Sequence, residues 1–210
     1  MWQVLTMQKW NIIFLACVAS SFFGCGQRAE RISVPSYSAG AVGSAAVAKY
    51  DENGNGAIDG AELLKSGALQ SALPRIDKDG NGKLTAEEIS ERISTYNSFD
   101  IGLMARTCVI NLDGRPLANA NIRFEPEEFM LNSISPAVGV TDDAGRVSAR
   151  KEGSEYPAMQ IGMYKIKISR RDGETETIPA QFNADTQLGV EIAPDIPEQE
   201  RGFVLDLKSR

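Results

Sequence analysis

Asp51-Glu52-Asn53-Gly54-Asn55-Gly56-Ala57-Ile58-Asp59-Gly60-Ala61-Glu62 is followed, 26 residues on, by Asp77-Lys78-Asp79-Gly80-Asn81-Gly82-Lys83-Leu84-Thr85-Ala86-Glu87-Glu88. Each run of twelve places oxygen-bearing side chains at positions 1, 3, 5 and 9, a glycine at 6 and a glutamate at 12. A hard cation that takes about six to eight oxygens imposes this spacing, because the chain must curl around it and present short side chains at alternate positions. Asp51, Asn53 and Asn55 meet that demand in the first run, and Asp77, Asp79 and Asn81 in the second. Position 6 must turn sharply, which Gly56 and Gly82 allow without a side-chain clash. The backbone carbonyls of Ala57 and Lys83 fall at position 7, Asp59 and Thr85 at position 9, and Glu62 and Glu88 offer both carboxylate oxygens from position 12. Polar turns rich in Asp, Asn and Gly are common in any protein. Two complete matches in tandem set this pair apart from them.

The arrangement resembles the Ca²⁺-binding loop of the EF-hand, and the resemblance implies two Ca²⁺ ions per chain. Ile58 and Leu84 at position 8 are apolar, as expected if the loops lie back to back through a short β-bridge. The offset between loops is shorter than in calmodulin-like pairs. It is similar to the compact pairs of exported bacterial EF-hand proteins and to the duplicated loop-helix units of dockerins. In a dockerin the recognition residues would be Gly60-Ala61 and Ala86-Glu87, though the two halves differ more than dockerin repeats usually do. Lys78 and Lys83 lie within the second run and oppose a divalent ion there, so the first loop is expected to bind more tightly and Lys83→Gln to strengthen the second site alone.

Around the loops the apolar residues fall at helical spacing. Ser44 is the expected N-cap of a helix through Ala45, Ala46, Val47 and Tyr50, and Leu63 and Leu64 carry a second helix that Gly67 ends or weakens. Leu69, Leu73 and Ile76 make the entry helix of the second loop, broken or started by Pro74, and Ile89, Ile93 and Tyr96 make the last. Residues 44–97 thus read as one EF-hand pair with a small shared core.

After a linker at 97–102 the period changes to two. Cys108, Ile110 and Leu112 alternate with polar or smaller residues, as do Tyr164, Ile166 and Ile168, then Leu188, Val190 and Ile192, and finally Phe203, Leu205 and Leu207. Asp113-Gly114, Asp142-Asp143-Ala144-Gly145 and Asp172-Gly173 mark turns. The expected fold class is α+β with two domains, a helical EF-hand pair followed by an antiparallel β-sandwich over 104–210. Gly114 to Phe124, Gly139 to Arg146, Gly162 to Ile166 and Ile178 to Asn183 resemble the transthyretin-like, carboxypeptidase-regulatory-like domains of bacterial envelope proteins. These motifs are structural and imply a fold rather than an activity. Hydroxyisourate-hydrolysing relatives of that group rely on histidines, and this chain has none. Thr141-Asp142-Asp143 reads as a β-turn closed by Gly145, and Glu125, Glu127 and Glu128 as a solvated loop.

Composition and the leader set the address. With 210 residues, a net charge of −6 and no basic run, the chain has no nucleic-acid-binding character. The absence of histidine removes Ser-His-Asp and Cys-His catalysis and His-ligated zinc. Residues 1–25 read as a signal peptide, with Lys9 before an apolar run from Ile12 to Phe23 and with Met1 or Met7 as the start. Phe22-Phe23-Gly24-Cys25 resembles the lipobox of bacterial lipoproteins, which implies lipidation of Cys25 and attachment to a membrane of the cell envelope. Residues 26–43 read as a tether, and Cys108 as a packed strand residue. Three function classes follow: a non-enzymatic calcium module that stabilises an interaction surface, a dockerin-like docking or adhesion unit, and an enzyme of unknown type, disfavoured by the missing histidine. The partner expected in the first two is an envelope protein or polysaccharide.

Overall fold

The helical spacing around the two loops builds four helices in the computed structural model, which describes residues 32–209. In chain order these and two short strands are α1 (Ala39–Tyr50), β1 (Ala57–Asp59), α2 (Gly60–Leu63), α3 (Gly67–Ile76), β2 (Lys83–Thr85) and α4 (Ala86–Ser98). β1 and β2 pair antiparallel with Ile58 opposite Leu84, and both of these side chains are wholly buried. Asp59, Ser66 and Thr85 sit where helices begin. Ser66 Oγ accepts from the Leu69 amide, while Thr85 and Glu88 close a capping box, each side chain bonding the other's backbone amide.

Three local expectations shift. Helix α1 starts at Ala39, and Ser44 lies inside it. The cause is upstream: Pro35 and Tyr37 are buried, Tyr37 Oη donates to the Ile161 carbonyl at 2.6 Å, and the Asn97 amide brackets the Tyr37 backbone through two 3.0 Å bonds. The tether read at 26–43 is therefore fixed chain from Pro35 onward, and its first six residues, 26–31, lie outside the described residues, as do the leader and Cys25. Gly67 opens α3 instead of closing α2, and α3 runs through Pro74 to Ile76. Pro74 sits close enough to the end of α3 that its missing amide costs the helix a single bond.

The β part comprises β3 (Thr107–Leu112), β4 (Arg115–Pro116), β5 (Asn121–Pro126), β6 (Ala137–Val140), β7 (Arg146–Ser148), β8 (Arg150–Lys151), β9 (Gly162–Ser169), β10 (Arg171–Asp172), β11 (Thr175–Glu176), β12 (Gly189–Ile192) and β13 (Phe203–Leu207). One antiparallel sheet has the order β12-β9-β5-β6-β8. A second has the order β13-β3-β4, with β7 also on β3, and β10 and β11 form a separate hairpin. The class is thus α+β with several antiparallel sheets. One pairing departs from expectation: β13 lies parallel to β3, Phe203 beside Cys108 and Leu207 beside Leu112. Parallel neighbours need a long crossover, which the intervening sheet supplies. The Asp142 turn forms as expected, its carboxylate accepting from the Ala144 and Arg146 amides, both at 2.9 Å. Cys108 packs in β3, and burial pushes its thiol up to about 12.

The linker at 97–102 separates two sequence patterns but not two cores. One apolar cluster takes in Leu69, Ile76 and Ile93 from the helices together with Tyr164, Ile166, Val190 and Ile192 from the large sheet. Helix α3 comes within backbone contact of the segment that leads into β12: the Gly67 amide donates to the Gln187 carbonyl at 3.0 Å. A Cβ on Gly189 would lie 2.4 Å from the Ala68 nitrogen, and one on Gly67 2.4 Å from the Gln187 oxygen. The edge strand of the sheet is therefore covered by a helix of the loop pair, one of the ways a sheet edge is kept from pairing with other chains.

Candidate metal centre

The two loops fold to the same hydrogen-bond plan. At position 1, Asp51 accepts from the amides of Gly54 (2.7 Å), Asn55 (3.2 Å) and Gly56 (2.8 Å). Asp77 accepts from Gly80 (2.8 Å), Asn81 (3.1 Å) and Gly82 (2.8 Å). Gly56 and Gly82 have φ of 86° and 75°, the left-handed turn that position 6 requires. Asn53 and Asp79 at position 3 accept from the position-5 amides, and Asn55 and Asn81 at position 5 accept from the amides of Ala57 and Lys83. Bonds of this kind arrange the loop backbone around the side-chain oxygens. They also explain why the Asp77 carboxyl is held below its ordinary range, the Gly82 amide being the largest cause.

Position 12 closes each loop from its following helix. Glu62, nearly buried, accepts from the Glu52, Asn53 and Asp59 amides at 2.9, 2.9 and 3.2 Å. Glu88 accepts from the Lys78 and Thr85 amides at 3.2 and 3.0 Å and from Thr85 Oγ1 at 2.8 Å. In the second loop, one oxygen each from Asp77, Asp79 and Glu88 lies within 4.8 Å of the others. Oxygens bound to one Ca²⁺ at roughly 2.3–2.6 Å can be no more than about 5 Å apart, so this carboxylate set fits a single cation. The first loop carries neutral Asn53 at position 3, and its third carboxylate, Asp59, is engaged elsewhere: Lys83 Nζ lies 2.8 Å from Asp59 Oδ2, and Asn55 Nδ2 donates to the same oxygen at 3.1 Å. These two neighbours, Lys83 first, hold the Asp59 carboxyl below its usual range.

Two buried carboxylates that join the loop pair to the β part escaped the sequence reading. Glu127, expected in a solvated loop, is 2 % exposed and accepts from Ser66 Oγ at 2.7 Å and Tyr50 Oη at 3.0 Å. Tyr50 immediately precedes Asp51, and Ser66 caps the helix leading to the second loop, so Glu127 ties both flanks of the first loop to the β part. Glu191, expected on the outer side of β12, is fully buried. It pairs with Arg75 Nε at 2.6 Å and with Arg92 Nε, and accepts from Tyr96 Oη at 2.6 Å. Arg92 in turn makes two bonds to Asp195, at 2.6 and 2.8 Å. Glu125 and Glu128 do lie near the surface, paired with Arg123 and Lys167 and with Lys49. No sequence signal short of long-range pairing would have separated Glu127 from its neighbours.

One concave surface of the β part lies over β5, β6 and β9 and is lined by Arg123, Val140, Arg150 and Lys167, among others, with no residue of either loop in its lining. Arg123 pairs there with Glu125 and Glu152, and Lys167 with Glu125, so these two cations are balanced by two carboxylates. Among the described residues no helix is long and apolar enough to cross a membrane. No family model matches the chain, and no curated protein matches it.

Proposed function

We propose that the chain is a non-enzymatic calcium-binding protein of the cell envelope, in which an EF-hand pair holding two Ca²⁺ ions is docked on a β-sandwich of the transthyretin-like kind. Asp51, Asn53, Asn55, Ala57, Asp59 and Glu62 would hold one ion, and Asp77, Asp79, Asn81, Lys83, Thr85 and Glu88 the other. The ion supplies no chemistry beyond charge and coordination: it satisfies the acidic oxygens and fixes the entry and exit helices relative to one another. The observation that carries this reading is the hydrogen-bond plan shared by the two loops, together with the convergence of Asp77, Asp79 and Glu88 oxygens within 4.8 Å in the second. A structural role is favoured over a sensor role by the placement of the apolar helix faces. A sensor opens to offer a groove, whereas here Leu69, Ile76, Ile89 and Ile93 are fully buried and β12 lies against α3.

Calcium titration calorimetry should give two ions per chain. Glu62→Gln should remove one, Glu88→Gln the other, and the double substitution both. A single site, or none, in the unmutated protein would refute the assignment. Extracellular calcium modules work at dissociation constants of about 10⁻⁴–10⁻³ M, so weak sites suffice.

The dockerin-like reading keeps one observation in its favour, since Gly60, Ala61 and Glu87 are exposed and Leu64 beside them is 58 % exposed. Capture of one partner only in calcium, lost on Ala61→Arg with both ions still bound, would establish it over the structural role.

Anchoring is proposed through lipidated Cys25. Cys25→Ser should leave the leader uncleaved or release the protein to the soluble fraction, because the thiol is the acyl acceptor of the lipobox. A processed mutant that still partitions with membranes would refute this.

A further inference from the structure

Lys83 belongs to the second loop by sequence and to the first by side chain. Its carbonyl stands at position 7 of the Asp77 loop. The antiparallel register of β1 and β2 sets it opposite Asp59, and its Nζ lies 2.8 Å from Asp59 Oδ2. That oxygen also accepts from Asn55, which is position 5 of the first loop. The lysine therefore reaches into the ligand groups of the loop it does not belong to.

We infer that Lys83 sets the order in which the two loops fill, holding down the calcium affinity of the first loop by occupying Asp59 and leaving the Asp77 loop to fill first. The inference rests on the calcium reading above and names its regulation. An ammonium bonded to a carboxylate must either give way to an incoming divalent ion or remain beside it, and both oppose binding. The second loop brings Asp77, Asp79 and Glu88 together without drawing on any group of the first. The sequence expectation set Lys83 against its own loop from chain position alone, and chain position does not say which way a side chain points. In a strand, alternate residues face opposite sides. With Leu84 turned into the core, Lys83 is turned outward to its cross-strand partner.

Site-resolved titration with CaCl₂ tests this. Glu88→Gln leaves the first loop to be read alone, and Glu62→Gln the second. Lys83→Gln, added to each, should raise first-loop affinity by about fivefold and change second-loop affinity by less than about twofold. Adding Asp59→Asn should abolish the effect of Lys83→Gln on the first loop, because the two residues act as one pair. The Lys83 side chain is 49 % exposed, so the variant is expected to fold, and matching circular dichroism of the calcium-free proteins checks it. A gain confined to the second loop, or first-loop filling ahead of the second in the unmutated protein, overturns the role of Lys83 while leaving calcium binding intact. No calcium heat at all in the unmutated protein overturns the calcium reading and the role of Lys83 with it.

Discussion

Replacing Glu191 by Ala is expected to destabilise the protein by about 3–5 kcal/mol, the cost of removing one partner from a buried ion pair. The carboxylate has no exposed surface, and its two oxygens are shared among Arg75, Arg92 and Tyr96. Charges in the group balance, Arg75 and Arg92 against Glu191 and Asp195. Removing Glu191 leaves Arg92, 5 % exposed, with Asp195 alone, and deprives the buried Tyr96 hydroxyl of its acceptor. That hydroxyl stays protonated at ordinary pH, since burial and then the neighbouring carboxylate raise its pKa well above that of a free tyrosine. Glu191→Gln keeps the shape and one acceptor but not the charge, and should lose less. Both are read from urea denaturation midpoints at constant slope. A loss under about 1 kcal/mol for the alanine variant would mean that water or a rearranged Asp195 replaces the carboxylate, and would remove this cluster as the joint between helices and sheet.

The joint also marks the limit of what the sequence disclosed. The two loops were legible because Asp, Asn, Gly and Glu recur at the same positions in both runs, and the short bridge between them because Ile58 and Leu84 break an otherwise polar run. Strands such as β9 were legible because Tyr164, Ile166 and Ile168 alternate with lysines and are all wholly buried. Period alone then misplaced Glu191. It stands between Val190 and Ile192, where alternation predicts the outer face, yet α3 and α4 cover that face and supply two arginines to meet it. Those arginines lie 116 and 99 residues away in sequence. Glu127 and Tyr37 were missed for the same reason: each is fixed by a partner far along the chain, and a local window holds no record of it. Parallel pairing of β13 with β3 has the same character, since turn signals specify hairpins and say nothing of a strand that returns across the domain.

Withdrawing calcium is expected to destabilise the whole described chain and not the loop pair alone. A ligand that binds only the folded state stabilises it by about 2.7 kcal/mol per site at a hundredfold excess over its dissociation constant. Two sites would then contribute on the order of 5 kcal/mol. For a unit of this size about 1 kcal/mol corresponds to roughly 2–4 °C in Tm, so chelation should lower the midpoint by about 10–20 °C. The reach of the effect follows from the contacts. Tyr50 and Ser66 flank the first loop and both bond Glu127 of the β part. Arg75 and Arg92 flank the second and both bond Glu191 of β12. All described residues belong to a single compact unit, and one apolar cluster runs through helices and sheets. Loosening the loops therefore releases the helix ends that hold two buried carboxylates, and an unpaired buried carboxylate destabilises the sheet it sits on. Hydrogen exchange provides the readout: amides of β9 and of α4 should lose protection together on chelation and by the same free energy. Glu62→Gln with Glu88→Gln should make both insensitive to calcium. If β9 keeps its protection while α4 loses its own, the loop pair is a separate folding unit and calcium stabilises it alone.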